Sequence, residues 1–262
     1  MAKYEDIVYE TDGPVATCRL NRPERLNAMR AQTLDEMYDS WEGFNTDQNL
    51  KVMILTGTGR GFSSGADVKP KEGQSAMGAA PEEPGATPGA ASPAPRMLKK
   101  IVEKPVIGMI NGACAGMGYV LALSTDIRFA SDQALFHHVY LRRALVTSGE
   151  TWYLPKLIGL GNAMYHILAA DTMDADEALR LHLVSRVIPH DKLVEETMKF
   201  AQELATRPPN ATKYAKKAIY KGLNLTLEDA MEFVGYTRAA NQNSGEAEEG
   251  FRAFNEKRAP NW

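Results

Sequence analysis

The chain has 262 residues, 44% of them hydrophobic and 24% charged, with a formal net charge of -3. That length supports one large core, or one core with a small appended domain, and the charge gives no electrostatic reason to expect a polyanion partner. Two cysteines, Cys18 and Cys114, exclude a disulfide framework, no residue spacing resembles a metal site, and no apolar run is long enough to cross a bilayer. The opening MAKYEDIVYE is acidic and polar rather than basic and then apolar, so no secretory signal is expected; the expected location is cytoplasmic, or organellar after processing in a eukaryote.

Ile7 to Glu10 and Val15 to Leu20 flank Asp12, Gly13 and Pro14 and read as a hairpin. Asn21 to Met29 (NRPERLNAM) breaks that regularity. Leu34, Met37, Trp41 and Phe44 then recur at three- and four-residue spacing, as in an amphipathic helix. Lys51 to Gly57 is a short apolar run ending in glycine, the pattern of a buried strand. Gly59 to Lys69 (GRGFSSGADVK) reads as another strand end, followed by small residues that open a helix. Lys71 to Pro95, rich in Ala, Gly and Pro, cannot bury enough apolar surface to order itself well and reads as a mobile surface loop; a lid over a pocket is the second reading.

From Lys104 to Asp126 (KPVIGMINGACAGMGYVLALSTD) an apolar strand enters a glycine-rich turn and leaves it as a helix start. The first N–H groups of a helix have no intrahelical partner, so Gly116, Met117 and Gly118 would aim bare donors at an anionic oxygen. On local grounds alone, a tight turn needed only for packing accounts for the stretch equally well. Short strands follow at Ile127 to Ala130 and Leu135 to Phe136, then helices at Thr151 to Leu160, Asn162 to Ala169 and Asp174 to His182, and a strand at Val184 to Ile188. Leu193, Thr197, Phe200 and Leu204 make one helical face, which Arg207, Pro208 and Pro209 end; Thr212 to Leu223, a capped start at Thr226 and a last helix over about Gly245 to Lys257 complete the chain. Strands alternating with helices and then helices alone predict an α/β core with a helical C-terminal extension.

Several segments together resemble the crotonase superfamily of enoyl-CoA hydratases and isomerases: NRPERLNAM from Asn21, GFSSGAD from Gly61, KPVI from Lys104 with Asn111-Gly112, the Gly116/Gly118 turn, Asp126-Ile127, Leu154-Pro155, and EGFRAF from Glu249 with the EKR that begins at Glu256. The resemblance implies a spiral of ββα units over residues 1–200, carrying the 71–95 loop as an insertion. It also implies a helical oligomerisation region over 201–262, and a homotrimer or dimer of trimers. The implied substrate is an acyl-CoA thioester whose carbonyl oxygen is held by the backbone N–H groups of Ala66 and Met117, with no cofactor beyond the coenzyme A of the substrate itself. Two preorganised donors suit such a thioester because its enolate gathers negative charge on that oxygen. The same resemblance places Arg25 near the CoA phosphates, Ala66, Asp67 and Val68 beside the adenine, and Lys257 or Arg258 within reach of a 3′-phosphate, on a neighbouring subunit if not on its own. For each basic residue a solvated surface charge is the competing reading.

The chain departs from the hydratase pattern at both catalytic glutamates: Val120 occupies the first position and Tyr140 the second. Neither side chain activates water as a carboxylate does. Polar candidates nearby are His137, His138, Tyr140, Arg143, Ser148 and Glu150. Relatives without the glutamate pair place an acidic residue close to Ser148 to Glu150, which makes Glu150 the first choice for base or proton donor, against the simpler role of an acidic residue in a helix's first turn. Tyr140 is a second candidate, or a core tyrosine. His137 and His138 lie on a predicted strand facing opposite ways, so at most one reaches a pocket, and His138 joins the catalytic set; His166, His182 and His190 are expected to be structural. The expected activity is an atypical hydratase or isomerase, with a C–C bond hydrolase or lyase and a non-catalytic acyl-CoA-binding homologue as alternatives. The titratable groups gathered between His137 and Glu150 favour the enzyme.

Overall fold

The computed structural model describes residues 4–68, 102–147 and 149–262; the loop expected over 71–95 and the candidate Ser148 fall outside them. In chain order the strands are β1 (Ile7–Asp12), β2 (Val15–Leu20), β3 (Val52–Gly57), β4 (Gly61–Ser63), β5 (Val106–Ile110), β6 (Ala113–Ala115), β7 (Ile127–Ser131), β8 (Leu135–His137), β9 (Thr172–Asp174) and β10 (Arg186–Ile188). The helices are α1 (Ala31–Thr46), α2 (Met117–Ser124), α3 (Glu150–Ile158), α4 (Leu160–Ala169), α5 (Ala175–Arg180), α6 (Leu193–Ala205), α7 (Pro209–Gly222), α8 (Leu227–Gln242) and α9 (Glu246–Glu256).

Among the described residues the strands form a six-stranded sheet in the order β1-β2-β3-β5-β7-β10 and a four-stranded sheet in the order β4-β6-β8-β9. Only the β1/β2 hairpin and the β8/β9 pair are antiparallel. Each of the pairs β3/β4, β5/β6 and β7/β8 sends its first strand to the large sheet and its second to the small one, which gives the predicted crotonase-like spiral of ββα units.

Burial on both faces explains why β3 reads as an unbroken apolar run. Met53 and Leu55 enter the core shared with Trp41 and Phe44 of α1, while Val52 and Ile54 pack on the opposite side with Leu193, Ala201 and Ala205 of α6. Asp126 then ties the C-terminal helices to the core: its carboxylate accepts from the Val106 N–H (2.7 Å), from Tyr220 Oη (2.7 Å) and from Lys216 Nζ (2.7 Å).

The structure differs from the sequence reading in three places. The small-residue segment after Asn111 contains β6, because residues too small to fill a core still pair through their backbone. Ser64 to Val68 stay outside any helix, and Ala66 bridges Met29. Pro208 and Pro209 do not merely end one helix: Pro209 is the first residue of α7, where its missing N–H costs nothing.

Asp6, just before β1, is 2% exposed and holds the strand to the start of α1. Its carboxylate accepts from Arg30 Nε (2.7 Å) and Nη2 (2.7 Å) and from Thr33 Oγ1 (2.5 Å). Burial alone would raise the Asp6 pKa, but the Arg30 and Thr33 hydrogen bonds outweigh it and hold the carboxyl below its ordinary value. A depressed folded-state value stabilises the fold fully above the unfolded aspartate range, about pH 4, and that stability is lost as the pH falls toward the folded value. Asp6→Asn is therefore expected to cost on the order of 3 kcal/mol at neutral pH. Thermal unfolding followed below about pH 4 should show wild type losing more stability than the variant.

Candidate active site

Two backbone segments meet at the heart of the spiral. After β4, the Met29 N–H donates to the Gly65 carbonyl (2.8 Å) and the Asp67 N–H to the Met29 carbonyl (2.8 Å). Because successive N–H groups of an extended segment point to opposite edges, the N–H of Ala66 faces away from Met29. On the other side, Gly116 (φ 52°, ψ -125°) turns the chain from β6 into α2, whose first residue is Met117. A Cβ on Gly65, where φ is +100°, would lie 2.9 Å from the Ala115 carbonyl oxygen and 3.1 Å from the Met117 nitrogen. One residue beyond Met117, a Cβ on Gly118 would lie 2.6 Å from the Ser63 Cβ. Glycine at both positions lets the two segments touch backbone to backbone.

The loop between β2 and α1 buttresses the first segment. Asn27, in the left-handed region at φ 54°, donates from Nδ2 to the carbonyls of Thr58 (2.9 Å) and Gly61 (2.9 Å). Ser63 Oγ donates to the Asn27 carbonyl (2.8 Å) and accepts from the Gly65 N–H (3.2 Å). The Asp67 carboxylate is gripped by Arg22 (3.0 Å) and Arg25 (3.0 Å), and Arg22 also lies 3.6 Å from Asp6. Arg25 keeps 38% of its side chain exposed. The Asp67 carboxylate thus holds two arginines, while its N–H is engaged by the Met29 carbonyl. Val68 is exposed, as is Lys257, which caps α9 in the left-handed region. Arg258 is held by Glu249 and Glu256. No hydrogen bond or ion pair among the described residues joins Lys257 to the cluster around Asp67.

Against the second segment lies a buried polar cluster. Tyr140 reaches back toward the turn, with its hydroxyl oxygen 4.0 Å from the position a Gly116 Cβ would take. His137 turns the other way, its Nδ1 2.9 Å from Thr172 Oγ1. His138, 2% exposed, places Nδ1 3.4 Å from Oε2 of Glu150, the fully buried first residue of α3. Oε1 of Glu150 has no hydrogen-bond partner among the described residues. Burial raises the Glu150 carboxyl above its usual range, and the contact with His138 offsets this only in part. His166, read from the sequence as structural, lies against this cluster, its ring stacked on that of His138 with centroids 5.8 Å apart. Periodicity gave no signal for this, because His166 comes from α4, on the far side of a helix-helix turn. Among the described residues no group of three His, Cys, Asp or Glu is arranged to hold a metal ion, and no helix is long and apolar enough to cross a membrane.

A model of the enoyl-CoA hydratase/isomerase family matches residues 10–262. The chain belongs to that family. It is 32% identical to a crotonyl-CoA hydratase of Syntrophomonas wolfei, over 99% of this chain and 98% of the relative. It is 31% identical to a 1,2-epoxyphenylacetyl-CoA isomerase of Escherichia coli K12, over 98% and 97% of the two chains. Among solved structures, an enoyl-CoA hydratase from Bacillus anthracis superimposes with a TM-score of 0.87 at 28% identity, covering 98% of this chain and 99% of the other. This family member is thus an acyl-CoA-processing enzyme.

The contact between α2 and α3 beside Glu150 is specific. Val120, fully buried on α2, packs on the Gly149 cap of α3, where an added Cβ would lie 2.6 Å from Val120 Cγ1. Glu150, the first residue of α3, follows this contact by one residue. Gly149→Ala is expected to destabilise the fold by about 1–3 kcal/mol through overpacking. Adding Val120→Ala should recover most of that loss in urea unfolding; no recovery would show that the two residues do not share this contact.

Proposed function

We propose that this enzyme holds a thioester carbonyl between the N–H groups of Ala66 and Met117 and moves protons at the acyl chain through Glu150, assisted by His138. The observation that carries the proposal is the Glu150 carboxylate, sealed from solvent beside His138 with Oε1 unpartnered among the described residues. Removing a proton next to a thioester builds an enolate, which the two N–H groups stabilise more than the ground-state carbonyl. One carboxylate that takes a proton from one carbon and returns it to another performs double-bond isomerisation. Hydration by paired glutamates needs a second carboxylate, and the corresponding positions hold Val120 and Tyr140. The Tyr140 hydroxyl, beside the Gly116 turn, is assigned as an additional proton or hydrogen-bond donor to the developing oxyanion. This chemistry calls for no cofactor beyond the coenzyme A carried by the substrate.

We assign Arg25 to the CoA phosphates, since it stays half-exposed while Asp67 fixes its orientation; the backbone of Ala66 to Val68 lies alongside for the adenine, and Lys257 reaches in from a neighbouring subunit. The exposed apolar side chains Leu227, Met231, Phe251 and Phe254 on α8 and α9 support assembly as a trimer or dimer of trimers in the cytoplasm. A second reading, hydrolytic C–C bond cleavage, draws on the same His138–Glu150 pair, which is equipped to activate a water for attack on a carbonyl.

Glu150→Gln is expected to lower kcat by about 100-fold or more while leaving KM for the acyl-CoA nearly unchanged. Because burial raises the Glu150 pKa, the acid limb of the wild-type pH–rate profile should lie above the ordinary glutamate value near 4.5, and the variant should lose it. Unchanged turnover in Glu150→Gln would remove that residue from the chemistry. Crotonyl-CoA hydration is expected to be far slower than in a relative with both glutamates. A panel of acyl-CoAs followed by mass spectrometry checks this: isomerisation leaves the mass unchanged, whereas hydration and C–C hydrolysis each add one water and are separated by product structure.

A further inference from the structure

Four buried polar atoms beside Glu150 lack hydrogen-bond partners among the described residues: Glu150 Oε1, Tyr119 Oη, His138 Nε2 and His166 Nδ1. Buried polar groups are rarely left unpaired, and four in one place mark a site for internal water. The two imidazoles are also oriented in a matched way. His138 turns Nδ1 to the buried Glu150 carboxylate at 3.4 Å, and His166 turns Nε2 to Glu177 Oε1 at 3.9 Å. The nitrogen that each ring leaves unpartnered belongs to a pair of rings lying 25° from parallel with centroids 5.8 Å apart. Two hydrogen bonds of about 2.8 Å meeting at one water near the tetrahedral angle join nitrogens about 4.6 Å apart, a separation within reach of rings at this centroid distance. Glu177, on α5, is 33% exposed and therefore meets solvent.

We propose that His138 and His166, bridged by a buried water, form a proton path between Glu150 in the active site and Glu177 at the surface. The proposal rests on the reading of Glu150 as the proton-transferring group. When Glu150 is ionised, His138 donates its Nδ1–H to Oε2 and presents the Nε2 lone pair. A proton arriving at Nε2 from the water lets the Nδ1 proton pass to Glu150, which becomes a neutral acid. The water is restored by the Nδ1–H of His166, whose Nε2 takes a proton from the Glu177 side. One proton leaves the bulk and one reaches the carboxyl; the reverse sequence discharges Glu150.

The surroundings suit this task. Burial, with nearby His138, lowers the His166 pKa, although Asp171 and Glu177 oppose the shift, so the ring is held toward the neutral form that both accepts and donates. Glu177 is clamped by Arg180 at 2.6 Å through two hydrogen bonds and stays ionised as a surface acceptor. Tyr119, whose ring meets His138 edge-on at 5.1 Å, and Cys114 complete the titratable groups around Glu150, and burial raises the pKa of each far enough to keep it neutral. Proton traffic is thereby confined to the carboxylates and imidazoles.

A crystal structure of the full chain at a resolution that shows ordered water should place one within hydrogen-bonding distance of both His138 Nε2 and His166 Nδ1; a dry gap overturns the path. In D2O, exchange of the α-hydrogens of phenylacetyl-CoA, a probe with an acidified α-carbon and no double bond to move, reports proton traffic between Glu150 and solvent. Wild type should incorporate deuterium. His166→Phe, which preserves ring stacking, and Glu177→Gln, at the surface, should slow incorporation by about tenfold or more with unchanged KM and unchanged thermal unfolding, and added imidazole should restore part of the His166→Phe rate. Glu150→Gln separates the two ideas: wild-type exchange in that variant defeats the reading of Glu150 itself. Loss of exchange there, with wild-type rates in both His166→Phe and Glu177→Gln, overturns the proton path alone.

Discussion

The close passage of Gly65 against the Ala115 to Met117 backbone is the constraint on which the site depends. An ideal Cβ at Gly65 would stand 2.9 Å from a carbonyl oxygen, so two N–H-bearing segments are held side by side only because one of them has no side chain. The two-sheet spiral makes that approach possible. β4 and β6 pair in the small sheet, which carries Ala66 and Met117 to the same place although they stand 51 positions apart in the sequence. The arginine and aspartate pairs from Asp6 through Arg22 to Asp67 then fix the outer edge of the first segment.

Around this frame the proposed acid/base function stands on a different element from the one the hydratase pattern uses. A hydratase-like pattern puts a carboxylate on the helix opened by the glycine turn, whereas here that helix offers Val120 and the facing helix offers Glu150. Gly149 makes the exchange sterically possible, because any side chain there would collide with Val120. The cost is a buried carboxylate that, among the described residues, has one oxygen without a hydrogen-bond partner and the other facing His138. Structural stability gives no reason to keep such an arrangement, and proton transfer does.

The alternation of strands and helices, the hydrophobic stripe of α1, the buried run of β3 and the glycine turn at Gly116 were all legible because each rests on local periodicity or local backbone freedom. The motifs around Asn21, Gly61 and Lys104 made the spiral and the family resemblance legible too. Strands β6 and β9 were not, since Ala113 to Ala115 and Thr172 to Asp174 lack the apolar runs that marked β8 and β10 and show as strands only through their partners. The engagement of Asp67 by Arg22 and Arg25 was equally invisible, because it joins positions 42 and 45 residues apart.

The sequence by itself determined that glycines make the turn at Gly116, that Val120 and Tyr140 stand where the hydratase pattern leads one to expect glutamates, and that Glu150 lies at the threshold of a helix read from Thr151. These are properties of residue identity and local conformation. Only the tertiary structure decided that Glu150 faces His138, that His166 stacks behind it and that Glu177 lies beyond. Four separate elements supply those side chains, and burial in a low-dielectric interior, rather than sequence spacing, sets both their partners and their proton affinities.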